Sequence, residues 1–177
     1  MSSLAVGSAV TSVLVAYATK YGATREVAEA VAAALRGHGA DVKVRAAGDV
    51  VDVDRYSAVV LGGALFYFRW HRDAKRFLTH HRAALVRLPV AVFALGPLGD
   101  SAEEMKDARE QLDGILAKSP WLSPASVAVF GGRLDPARLR FPDANPAMKK
   151  LPACDLRDWD AIQDWADSLP AVLGLDA

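Results

Sequence analysis

Val13-Leu-Val-Ala-Tyr-Ala-Thr-Lys-Tyr-Gly-Ala-Thr24 is the stretch whose reading decides the fold. Its first six residues are apolar and partly β-branched, the composition of a buried strand. The chain then turns through Gly22, and Val27, Ala28, Val31, Ala32 and Leu35 recur at helical spacing until Gly37 and Gly39 end the helix. A short apolar strand running through a glycine turn into an amphipathic helix opens a βαβ unit.

The alternation continues downstream. Residues 41–45 alternate apolar and polar as a second strand, 48–56 make a short crossover, and 58–63 read as a buried strand. Trp70, Ala74, Phe77, Leu78, His81 and Leu85 fall on one face of a helix. Residues 90–95 form a fourth strand after Pro89, 101–118 a charged helix with one apolar side, 127–130 a fifth strand and 158–169 a last helix. Strands alternating with helices imply a parallel sheet covered on both faces. The pattern predicts a three-layer, doubly wound α/β fold with five parallel strands in the order 2-1-3-4-5. Residues 1–12 are expected to be a flexible N-terminal extension to a domain spanning 13–177. Residues 131–154 show no periodicity and contain Pro136, Pro142, Pro146 and Pro152. They are expected to form an irregular loop, either a solvated lid or a segment that receives an anionic or quinone-like substrate through its basic residues.

Composition narrows the function classes. Among 177 residues, 21 Lys and Arg balance 21 Asp and Glu, which gives no electrostatic footprint for nucleic acid. The one cysteine, Cys154, excludes an internal disulfide and any multi-cysteine metal site. No cluster of His, Asp and Glu reads as a metal site; His80 and His81 are adjacent and so diverge on a helix. The first twelve residues contain no Lys or Arg, as a secretory signal would, and no apolar run reaches the length of a membrane span. A cytoplasmic protein is therefore expected. The oligomeric state is not legible.

The strongest local signal is the turn Thr19, Lys20, Tyr21, Gly22, Ala23, Thr24 at the start of a helix. A helix N-terminus offers free N–H groups and partial positive charge to an anion. Two hydroxyls and a small-residue turn suit a terminal phosphomonoester, such as that of flavin mononucleotide (FMN), better than a pyrophosphate. The turn lacks both G-x-x-x-x-G-K-[ST] and G-x-G-x-x-G. The alternative is an ordinary strand-to-helix turn whose threonine merely caps.

Thr19-x-x-Gly-x-Thr24 after the first strand resembles the FMN-phosphate loop of flavodoxins. Together with Leu61-Gly-Gly-Ala-Leu-Phe-Tyr67, Trp70-His71 and Arg157-Asp-Trp-Asp-Ala-Ile162, the chain resembles the flavodoxin-domain branch that contains menaquinone-dependent protoporphyrinogen oxidases. This resemblance spans roughly residues 13–170. It implies FMN as cofactor, with Ala64, Leu65, Phe66, Tyr67 and Phe68 in one loop against the flavin ring and Gly96, Pro97, Leu98 and Gly99 in another. His71, beside the aromatic loop, is a candidate proton donor, although a helix N-terminus disfavours its charged form. Three functions are open: an FMN-dependent oxidoreductase acting on a small molecule such as a quinone or porphyrinogen, an electron carrier serving a redox protein, or a flavin-free interaction module. Zero net charge weighs against a carrier steered by an acidic surface.

Overall fold

The computed structural model describes residues 10–66 and 69–176. Tyr67, Phe68 and most of the expected N-terminal extension lie outside them. The elements run β1 (Ser12–Ala18), α1 (Ala23–Gly37), β2 (Asp41–Ala46), β3 (Ala58–Phe66), β4 (Arg69–Trp70), α2 (Arg72–His80), α3 (Arg82–Leu85) and β5 (Val90–Leu95). They continue α4 (Ala102–Leu116), β6 (Ser126–Phe130), β7 (Arg133–Leu134), α5 (Pro146–Lys149), β8 (Cys154–Asp155) and α6 (Trp159–Val172).

The main sheet has the order β2-β1-β3-β5-β6, all parallel, which is the expected 2-1-3-4-5 order when the five long strands are counted. Residues alternate between its two faces. Leu14, Val59, Leu61, Val90 and Val92 join Phe77, Leu78, Leu112 and Leu116 of α2 and α4 in one core. Val13, Val15, Val60, Ala91 and Phe93 join Val27, Val31, Leu35, Ile162 and Leu169 of α1 and α6 in the other. The central strands are buried on both faces because the crossovers return helices to both sides of the sheet. Ala18 pairs with Gly63, Gly63 with Ala94, and Leu95 with Phe130. The loops after β1, β3, β5 and β6 thus leave from one edge of the sheet.

Two expectations are corrected. The face from Trp70 to Leu85 belongs to three elements, not one helix. Trp70 pairs with Leu65 in an antiparallel hairpin, His71 caps α2 by accepting the Asp73 N–H on Nδ1, and the chain breaks at His81 before α3. The apolar positions themselves are all buried, Trp70 at 1% exposure and His81 at 8%. The stretch 131–154 is not an irregular, fully solvated loop. It carries β7, which pairs antiparallel with β8, as well as a 3-10 turn and α5, and it buries Leu134 and Leu139.

Candidate functional site

At the carboxyl edge of the sheet lies a cleft of about 1020 Å³, whose wall includes Thr19, Thr24, Ala64, Phe66, Gly96 and Leu98. This is the position at which doubly wound sheets bind ligands, and the volume suits a nucleotide-sized molecule.

The first strand delivers the chain to a turn held by Gly22, whose φ of +91° favours glycine. The Gly22 N–H donates to Thr19 Oγ1 at 2.9 Å, so the turn is braced from within. Thr19 thereby spends an acceptor lone pair and keeps its own O–H to donate. Among the described residues, no group caps the N–H groups of Ala23, Thr24 and Arg25 at the start of α1. Thr24 is 1% exposed, lines the cleft, and has no hydrogen-bond partner for its hydroxyl among the described residues. Three amides and a hydroxyl without protein partners thus meet at one helix start, the arrangement that suits an anion.

Lys20 and Tyr21 also line the cleft, and both are tied to Asp143. Lys20 pairs with Asp143, and the Tyr21 hydroxyl donates to Asp143 Oδ2 at 2.5 Å. Burial and the Asp143 carboxylate push the Tyr21 phenol up, while the Lys20 and Tyr21 hydrogen bonds hold the Asp143 carboxyl below its ordinary value despite burial. Lys20 Nζ also lies 5.6 Å from the centre of the Phe66 ring, joining the turn before α1 to the end of β3.

The first turn of α1 is further tied by charges. Arg133 donates through Nη1 to both Glu26 oxygens (3.0 and 2.9 Å) and through Nη2 to the Tyr21 carbonyl at 3.2 Å. Arg157, its side chain 4% exposed, bridges Glu26 and Asp155 and donates to the Ala23 carbonyl at 3.4 Å. The hydrogen bond from Arg157 holds each carboxyl below its usual range, and the two carboxylates in turn raise the Arg157 guanidinium. The start of the helix is thereby fixed by two cations and two anions that cancel.

The remaining expected residues divide. Ala64, Leu65 and Phe66, which are the last residues of β3 rather than the expected loop, and Gly96, Pro97 and Leu98 of the loop after β5 line the cleft. Gly99 has another reason to be small: a Cβ there would stand 1.8 Å from Glu104 Oε2, within the capping box that Glu104 forms with Ser101. His71 lines the cleft, and its Nδ1 accepts the Asp73 N–H at 3.1 Å, which leaves its proton on Nε2. Burial pushes the imidazole pKa down and keeps the ring neutral. Nothing local in the sequence marks Glu26, Asp143 or Arg157 as site supports, because each acts across more than a hundred residues.

The sheet order and the cleft at the carboxyl edge define a doubly wound α/β protein with its ligand site where such sheets carry one. The model of the Flavodoxin domain matches residues 14–150, and the chain belongs to that family. It is 27% identical over 139 residues, 73% of each chain, to the protoporphyrinogen IX dehydrogenase [quinone] of Escherichia coli (strain K12). A flavodoxin from the domain Archaea superposes with TM-score 0.56 at 15% identity, covering 93% of this chain and 99% of its own. The Streptococcus pneumonia TIGR4 flavodoxin does so with TM-score 0.56 at 17% identity, covering 94% and 100%. Membership implies FMN as the cofactor, and the open amides of α1 together with the buried Thr24 hydroxyl fit its phosphate. Among the described residues, no helix is long and apolar enough to cross a membrane.

Proposed function

We propose that the protein is an FMN-dependent oxidoreductase that exchanges electrons or hydride with a small organic substrate, with a quinone or a porphyrinogen as the leading candidates. The observation that carries this reading is one cleft in which the uncapped start of α1 opens beside the apolar end of β3 and the loop after β5. The Thr19 and Thr24 hydroxyls with the Ala23–Arg25 amides hold the phosphate. Leu65, Phe66, Pro97 and Leu98 flank the ring and exclude water. FMN supplies the redox chemistry when bound, and the protein binds, orients and tunes it. His71 presents a neutral ring in the cleft wall and is the candidate to hold a proton at Nε2 for the substrate.

The wall extends past the cofactor loops to Arg69, Arg72 and Lys75 on one side and Glu104 and Asp107 on the other. This leaves room for a substrate beside the flavin. The name of the Escherichia coli relative supports the enzyme reading over the carrier. So does the neutral overall charge. The cytoplasm is the compartment proposed.

The test is turnover. Loaded protein should oxidise protoporphyrinogen with a quinone as acceptor faster than free FMN does under the same reducing handling. Turnover equal to that of free FMN defeats the enzyme reading and leaves the carrier.

A further inference from the structure

The stretch between β7 and β8 leaves and rejoins the body at one place. Arg133 pairs with Asp155 and Leu134 with Cys154, and the Leu156 N–H donates to the Gly132 carbonyl at 2.9 Å. A Cβ on Gly131 would stand 2.1 Å from the Leu156 carbonyl oxygen, so this neck is tightly closed. From it, residues 135–153 contribute Asp135, Arg138, Leu139 and Met148 to the cleft wall. Beyond the neck, only Leu139 and Asp143 of these residues are buried, while Phe141 at the tip is 95% exposed. One buried leucine is little apolar contact for so long a stretch, and segments of that kind open at low free energy. Polar contacts that fasten the far side include Asp143 on Lys20 and on the Tyr21 hydroxyl, with the Arg140 N–H donating to the same hydroxyl at 3.3 Å.

We propose that residues 135–153 form a flap hinged at the β7–β8 neck and latched by Asp143 onto Lys20 and Tyr21, and that opening this latch gates the passage of the phosphate-bearing cofactor. The latch closes on the same turn whose amides meet the phosphate, so an unlatched flap frees both the cleft wall and the turn. The gating rests on the FMN reading above; the hinge and latch do not.

The test uses full-length protein, free and loaded with FMN, in the wild type and in Asp143→Ala and Lys20→Met. Amide hydrogen exchange is read peptide by peptide, and FMN release is followed on dilution. Losing a charge-assisted hydrogen bond corresponds to about a tenfold change in the opening equilibrium. Exchange across 136–150 in Asp143→Ala should therefore rise about tenfold while β3 and β5 stay protected, and FMN release should accelerate by a similar factor. Lys20→Met alters a half-exposed side chain, keeps the fold, and should show the same effects in smaller measure. Unchanged exchange across 136–150 in both variants overturns the latch. Faster exchange with unchanged FMN release overturns the gate. A wild type that takes up no FMN defeats the cofactor reading instead, and the exchange data then judge the latch alone.

Discussion

The indole nitrogen of Trp70 stands 2.3 Å from where a Cβ on Gly63 would be, so these two residues interlock at the carboxyl end of β3. The hairpin that returns Trp70 over Gly63 also places Ala64, Leu65 and Phe66 along the cleft. Gly63→Ala must push a ring that is 1% exposed out of its seat. The expected cost is that of overpacking, about 1–3 kcal/mol, read as a lower urea midpoint, with weaker FMN binding alongside. Gly114 is the control, because a Cβ there meets nothing within 4 Å and it lies exposed within α4. Gly114→Ala should stabilise by about 0.5–1 kcal/mol.

Arg157 is buried between two half-exposed carboxylates, Glu26 and Asp155. Removing it as Arg157→Met leaves both without their main partner and frees the Ala23 carbonyl at the start of α1. Breaking a fully buried pair costs about 3–5 kcal/mol. Solvent reaches both carboxylates here, so the loss should fall below that range. A chemical denaturation curve measures it, and FMN affinity should fall more than riboflavin affinity because the damage lies at the phosphate end.

Acid should destabilise the fold in two stages. The His71 and His81 pKa values are lowered from 6.5, chiefly by burial. The unfolded chain binds those protons first, so stability present above about 6.5 is lost as pH falls through the lowered values. The carboxyls of Glu26, Asp143 and Asp155 are also lowered. Their contribution is complete above the ordinary carboxyl range of about 4 and is lost as pH falls through the folded values. Thermal midpoints measured from pH 8 to pH 3 should decline gently below about 6.5 and steeply below about 4. In His71→Asn the first decline should shrink.

What is repetitive or local in this fold is legible in the sequence. Buried strands such as 58–63 are apolar runs, and a period of two along β1 sends Leu14 and Val15 to opposite cores. The turn at Gly22 is legible because a tight strand-to-helix turn with positive φ calls for glycine. Trp70 is legible as a core residue but not as a strand residue, since a two-residue hairpin arm has no period to read. Asp143 and Arg157 are not legible as partners of the turn. Asp143 lies 122 residues from Tyr21 and Arg157 lies 131 from Glu26, and only the folded chain brings them together.

Anion recognition by the open start of α1 is tested most directly by titrating flavin-free protein with FMN and, in parallel, with riboflavin, which differs only in lacking the phosphate. The wild type should bind FMN with quenched flavin fluorescence and riboflavin at least about tenfold more weakly, the worth of one or more charge-assisted hydrogen bonds. Thr24→Asp, which sets a carboxylate in the cradle, should abolish FMN binding and leave riboflavin binding as it was. Equal affinity for the two flavins in the wild type, or undiminished FMN binding in Thr24→Asp, would contradict the assignment.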